Sequence, residues 1–119
     1  ILAGVELLVL TSDLEGIPGV AIESVMAGSP VVSVPVGGVA EVVDHGVTGV
    51  LLPGVDLDRM ADEVVTLLAD RRRLAAMSVA GRGQIQRFSA SGTATLFSDS
   101  LVALLARRAS GSTGRTRRR

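Results

Sequence analysis

A chain of 119 residues, 47% hydrophobic but only 2% aromatic, has room for one small domain whose core is built from Val, Leu, Ala and Ile, a composition suited to a buried parallel sheet. It has no cysteine, which excludes disulfides and thiolate metal sites and is compatible with a reducing cytoplasm; no apolar run reaches the roughly 20 residues that span a bilayer. The net charge of zero conceals a split: residues 1–58 carry eight acids and no Lys or Arg, whereas residues 59–119 carry all twelve arginines against four acids.

In chain order, Val5 to Leu10, apolar but for Glu6, reads as a buried parallel strand. Thr11 to Ile17 is the loop at its C-terminal end, and Gly19 to Ala27 the next helix. Gly28 closes that helix in the left-handed conformation. Val31 to Val34 is a second strand. Pro35-Val36-Gly37-Gly38 is again a loop at a strand's C-terminal end, so it is expected to lie beside the first. Val39 to Asp44 is a short helix ending near His45-Gly46, and Gly49 to Leu52 a third strand stopped by Pro53-Gly54. Asp56 or Asp58 caps a helix reaching Ala69, with Leu57, Met60, Ala61, Val64, Leu67 and Leu68 at helical spacing. Arg71 to Arg73 just past its end suit the macrodipole. Leu74, Met77 and Ile85 suggest a further helix, weakened by Gly81 and Gly83. Ser89 reads as the N-cap of a last helix reaching Arg108. The domain is therefore drawn over residues 1–109, with an Arg-rich tail over 110–119 expected to lack structure.

The chemistry concentrates in Asp13 to Pro30, reading D-L-E-G-I-P-G-V-A-I-E-S-V-M-A-G-S-P. Glu15 and Glu23 stand eight positions apart, separated by Gly16, Pro18 and Gly19. The glycines let a ligand approach the backbone closely. Pro18 suits the first helical position. A helix starting there turns the free N–H groups of Gly19, Val20 and Ala21 toward the loop, an anion site backed by the macrodipole. One carboxylate can then serve each end of a ligand whose middle is anionic. The main open question is charge: no basic residue in this half faces such an anion, so cations are expected from chain lying elsewhere. Ser12, Ser24 and Ser29 have no accompanying base, which argues against nucleophilic hydrolysis. His45, the one histidine, reads as a surface turn residue and Glu41 as a helix-face residue. Arg115 to Arg119 read as a frayed terminus rather than a specific nucleic-acid site.

This stretch resembles the E-x7-E signature of the GT-B glycosyltransferases, above all glycosyltransferase family 4. Glu15-Gly16-Ile17-Pro18 matches the family's E-G-F-P, and Ile22-Glu23-Ser24-Val25-Met26-Ala27 is similar to its L-E-A-M-A. The likeness continues through Gly28 to Val32, Val36 to Val43 and Gly46 to Leu52, and covers roughly residues 3 to 105. The resemblance implies an α/β fold, the later part of the C-terminal Rossmann-like domain of a two-domain enzyme. The acceptor-binding N-terminal domain and the basic first part of the donor domain are then expected upstream. The implied function is retaining transfer of a sugar from a nucleoside diphosphate sugar, without a metal or other cofactor. In that pattern Glu23 accepts from the ribose hydroxyls and Glu15 from the hydroxyls of the transferred sugar. Gly16, Ile17, Gly19 and Val20 make backbone contacts, Gly19 standing where the family usually has a larger residue. Gly37 and Gly38 match paired glycines near the donor, and equally fit an ordinary strand-to-helix turn.

No residue here is assigned to acid–base or nucleophilic catalysis. The enzyme is expected in the cytoplasm, with peripheral membrane association left open. The chain alone is expected not to transfer sugar. Two other classes stay open: a nucleotide-sugar 2-epimerase, whose S-G-G-x-Q-E-E loop Ser12-Asp13-Leu14-Glu15-Gly16 fits poorly, and a nucleotide-binding module without catalysis. Leu96, Phe97, Leu101, Val102, Leu104 and Leu105 of the last helix would pack, in the resemblance, on the N-terminal domain.

Overall fold

The computed structural model describes residues 4–84 and 88–111. They fall into two compact units, Ile1–Ile85 and Gln86–Arg119. The first is α/β, with a parallel sheet and flanking helices: β1 (Leu8–Val9), α1 (Gly19–Ala27), β2 (Val31–Ser33), α2 (Val39–Val42), β3 (Gly49–Leu51), α3 (Leu57–Ala69) and α4 (Arg71–Gly83). The three strands are parallel in the order β1-β2-β3, with Leu8 opposite Val31 and Val32 opposite Val50. Parallel neighbours need a crossover, and α1 and α2 supply the two.

β2 is central, and Val31, Val32, Ser33 and Val34 are all buried. Alternation sends Val32 and Val34 to one face, where they cluster with Val50, Leu52, Met60, Leu67, Leu74 and Met77. Val31 and Ser33 face the other way, toward α1 and α2, whose Ala21, Val25, Val39 and Val42 are buried. Each fully buried aliphatic side chain here contributes about 1.5–3 kcal/mol. On α3 the inward stripe is narrower than its spacing suggests: Met60 and Leu67 are buried, but Leu57, at the helix's first position, is 62% exposed.

The first strand departs from expectation. Instead of a buried strand over Val5 to Leu10, β1 spans two residues, and Val5 and Val9 are each 38% exposed. The cause is position: among the described residues β1 is an edge, paired on one side only, through Leu8 N–H to Pro30 O at 2.8 Å and Leu10 N–H to Val32 O at 2.9 Å.

The helix ends show local chemistry at work. α1 ends at Gly28, φ 83°, whose N–H closes on Val25 O at 3.0 Å. Its bounds are the expected ones, Gly19 to Ala27, and only the role of Pro18 differs. Pro18 is the N-cap, with an extended ψ of 111°, rather than the first helical residue. α2 stops at Val42, because Val43 is already extended. Asp56, not Asp58, caps α3, its carboxylate accepting from Arg59 N–H at 3.0 Å. Arg71 to Arg73 lie not in a loop but in the first turn of α4, which begins directly after Asp70. Arginines are unfavourable at a helix N-terminus. Here Asp70 caps the turn by accepting from Arg73 N–H at 2.9 Å, while Arg71 and Arg73 pair with Glu6 and Glu63. Gly81, which had argued against a helix, is what lets α4 approach α1: a Cβ there would lie 2.6 Å from Val25 O.

In the second unit Ser89 Oγ accepts from Gly92 N–H at 3.0 Å and starts α5 (Ala90–Gly111). The helix runs past Arg108 through Ser110 and Gly111. The remainder of the Arg-rich tail, and Ile85, lie outside the described residues. Leu96, Phe97, Leu101, Val102, Leu104 and Leu105 are exposed. No helix among the described residues is long and apolar enough to cross a membrane.

Candidate functional site

Parallel strands present their carboxyl ends together, and in open α/β sheets ligands bind there. At that end β1 opens into the loop Thr11 to Pro18, and β2 into Val34 to Gly38. The two loops meet, as expected from their common end of the sheet. Gly38 N–H donates to Gly16 O at 2.7 Å, and Gly37, at φ +54°, sits against the Glu15 carbonyl. Ile17 Cγ1 would be 2.6 Å from a Cβ on Gly38. Gly38 is buried and Gly37 exposed.

The first loop delivers the chain into α1. Pro18 is buried and offers no side-chain cap. Its carbonyl accepts from Ala21 N–H at 3.0 Å and from Ile22 N–H at 3.3 Å. Of the three N–H groups expected to face the loop, Ala21's is therefore committed. Gly19 and Val20 keep theirs without a partner among the described residues, at the positive end of a nine-residue helix. Glu15 stands before this end and is half-buried. Glu23, in the second turn, is exposed, because α1 buries Ala21, Ser24 and Val25 instead. Neither carboxylate has a hydrogen bond or ion pair to a described residue. The site is thus two available carboxylates on either side of a pair of free backbone donors.

The glycines divide into two kinds. Gly16 and Gly19 would place a Cβ in open space, with nothing within 4 Å, whereas Gly37 and Gly38 would place one into the neighbouring loop. The reading of the sequence did not foresee this division. A Gly-Gly pair in the loop that follows a strand is a signal that one chain passes close to another. Leu14, Ile17 and Val20, 90%, 62% and 40% exposed, form an apolar fringe that hydrophobic periodicity had no means to single out.

The other polar groups of the region are structural. Ser24 Oγ donates to Ser29 O at 2.9 Å, and Ser29 Oγ to Val5 O at 2.7 Å. His45 Nδ1 accepts from Leu51 N–H at 3.0 Å, tying its turn to β3. Among the described residues no three His, Asp or Glu side chains gather into a metal-binding cluster. In the first unit, Arg59 stands in the first turn of α3, the helix that follows β3. β3 and β1 lie about 9–10 Å apart across β2. A cleft of about 220 Å³ lies at the other end of the strands, between Val5, Glu6, Gly28 and Ser29 and the α4 residues Arg71, Ser78 and Arg82. It touches neither Glu15 nor Glu23.

Comparison with known proteins bears on this geometry. Residues 1–70 match the family described as "Glycosyl transferases group 1". Over 70 residues the chain is 46% identical to the GDP-mannose-dependent alpha-(1-6)-phosphatidylinositol monomannoside mannosyltransferase of Mycobacterium tuberculosis, covering 59% of this chain and 18% of that protein. It is 42% identical over 89 residues to the D-inositol 3-phosphate glycosyltransferase of Thermobispora bispora, covering 75% and 21%. The chain thus spans about a fifth of the curated relatives it matches. Among solved structures it is similar to Anabaena Alr3699/HepE in complex with UDP, with a TM-score of 0.76 and 27% identity over 86% of this chain and 29% of that one. It is also similar to the sucrose-phosphate synthase of Thermosynechococcus elongatus, with a TM-score of 0.70 and 30% identity over 83% and 25%.

Proposed function

This chain belongs to the group 1 glycosyl transferases, and from that premise we propose that its first unit is the donor-binding part of a retaining glycosyltransferase of family 4, with the E-x7-E arrangement as its recognition site. The relatives are transferases named for sugar transfer, which favours this reading over an epimerase. The observation that carries it is the disposition of Glu15 and Glu23 on either side of the free N–H groups of Gly19 and Val20, at the carboxyl ends of β1 and β2.

In this reading the diphosphate of a nucleotide sugar meets those two N–H groups and the helix dipole. Glu23 accepts from the ribose hydroxyls. Glu15 accepts from the hydroxyls of the transferred hexose. Gly16 and Gly19, with open space where a Cβ would stand, keep the ligand side of the loop clear. Helix N–H groups developing no charge of their own are suited to a leaving diphosphate, whose charge rises as the glycosidic bond breaks. Neither glutamate is assigned to proton transfer. Binding in this scheme uses no metal, and addition of EDTA is expected to leave it unchanged.

The test is a titration of the 119-residue chain with UDP, UDP-glucose, GDP and GDP-mannose, followed by NMR of its backbone amides. One matched nucleotide pair is expected to move Gly16, Ile17, Gly19, Val20 and Glu23 together, without sugar turnover. Millimolar binding, about −4 kcal/mol, is sufficient for this readout. Perturbation centred on the cleft beside Arg71 and Arg82, or none with any nucleotide, overturns the proposal.

A further inference from the structure

Residues 11–17 carry the carboxylate that this reading assigns to the sugar, yet they are almost unsupported. Among the described residues, the hydrogen bond from Gly38 N–H to Gly16 O, 2.7 Å, is the only one that residues 11–17 make. The rest of the support is steric. A Cβ on Gly37 would overlap the Glu15 carbonyl, and one on Gly38 would lie 2.6 Å from Ile17 Cγ1 and 3.1 Å from Gly16 O. Gly37 is also at φ +54°, a backbone state that L side chains adopt at a cost. Behind the pair, Val36 N–H closes on Val34 O at 2.8 Å and Glu41 N–H on Gly38 O at 3.1 Å. The glycine turn is thereby fixed to β2 and α2.

We infer that Gly37 and Gly38 are positioning residues for Glu15: they form a backbone plate, anchored to the sheet, against which the Glu15–Ile17 segment is held, and they set how a sugar nucleotide is distinguished from a bare nucleoside diphosphate. The inference rests on the proposed contact between Glu15 and the sugar. Gly38 itself does not recognise the donor, since its N–H is committed to Gly16 and it is buried. An added Cβ at 37 must push the 15–17 backbone outward, because the opposing atoms are main chain; at 38 it meets the Ile17 side chain first, with the main chain of Gly16 and Ile17 just behind it. The free donors of Gly19 and Val20 lie beyond Pro18, whose burial and carbonyl bonds to Ala21 and Ile22 hold α1 independently. Displacing the loop therefore alters sugar recognition while leaving in place the proposed diphosphate contacts of Gly19 and Val20 and the ribose contact of Glu23.

The experiment compares Gly38→Ala and Gly37→Ala with the wild-type 119-residue chain, and with Gly54→Ala, a loop glycine whose Cβ would meet nothing within 4 Å. Affinities are measured by calorimetry or NMR titration for GDP against GDP-mannose and UDP against UDP-glucose. Gly38→Ala is expected to lower affinity for the sugar nucleotide about tenfold while leaving the nucleoside diphosphate within about twofold. Combined with Glu15→Ala it should add nothing, because both act through one carboxylate. Ile17→Ala removes the atom nearest the new methyl, so the Ile17→Ala, Gly38→Ala double variant is expected to regain part of the loss. It also provides a folded test should Gly38→Ala alone fail to fold. Without ligand, Gly38→Ala should shift the amides of Glu15 to Ile17 and leave those of Val31 to Ser33 unmoved.

Equal losses for both nucleotides, independent effects of Gly38→Ala and Glu15→Ala, or unmoved amides at Glu15 to Ile17 overturn the positioning role while leaving the donor reading intact. A wild-type chain that binds neither nucleotide pair overturns the donor reading, and the positioning role with it.

Discussion

Glu15 and Glu23 are chemically the same side chain in different surroundings. Glu15 is half-buried in a loop held by a glycine turn, and Glu23 is exposed in the second turn of α1. If Glu23 accepts from the ribose, Glu23→Ala should weaken the nucleoside diphosphate and the sugar nucleotide alike. Loss of a charged hydrogen bond of about 1.5–3 kcal/mol corresponds to about 10- to 150-fold in affinity. Glu15→Ala should spare the nucleoside diphosphate and weaken only the sugar nucleotide. The Gln variants should be milder, since an amide oxygen still accepts. Calorimetry on both variants is the measurement, and equal loss of nucleotide affinity in the two would refute the division of labour. At this scale the pair itself was readable from its spacing around Gly16, Pro18 and Gly19. The number of free N–H groups was not. Whether Ala21 N–H is free depends on where the Pro18 carbonyl points, a matter of one ψ angle that no residue type dictates.

Elements followed their local signals where those signals were self-contained. Asp56 and Asp70 cap, Gly28 terminates, and Ser89 starts the last helix, since a cap needs only a side chain and an N–H a few residues away. Glycine inside a helix is the opposite case. Gly81 and Gly83 both read as weak points of α4, but only Gly81 is buried, against the Val25 carbonyl where α1 and α4 pack. Gly81→Ala should destabilise the chain by about 1–3 kcal/mol through overpacking. Gly83→Ala, whose Cβ would meet nothing within 4 Å, should be neutral or stabilising by up to about 1 kcal/mol. Urea unfolding of the two variants tests the contrast. Two similar losses would mean that α1 and α4 do not approach through Gly81.

For the chain taken whole, the exposed edge of β1 is the feature with a physical consequence. Val5 and Val9 are partly exposed, and one side of β1 has no strand beside it among the described residues. Such an edge templates further pairing. Sedimentation of the 119-residue chain should show concentration-dependent association in the micromolar range, and a monomer throughout that range would rule the edge out as its cause. A Pro at Val9, one of the edge residues, should reduce the association, since Pro removes a donor from the ladder. The alternation of apolar runs with helical spacing, the turn residues between them and the two glutamates were determined by the sequence itself, because each depends on neighbours within a few positions. Only the tertiary structure decided that Val5 to Leu10 forms a short half-exposed edge, that Glu6 and Glu63 come to pair with the arginines opening α4, and that Gly37 and Gly38 pack against the loop of Glu15. Those outcomes depend on which distant backbone comes to lie alongside, and the close approach of two chains leaves no periodicity in either one.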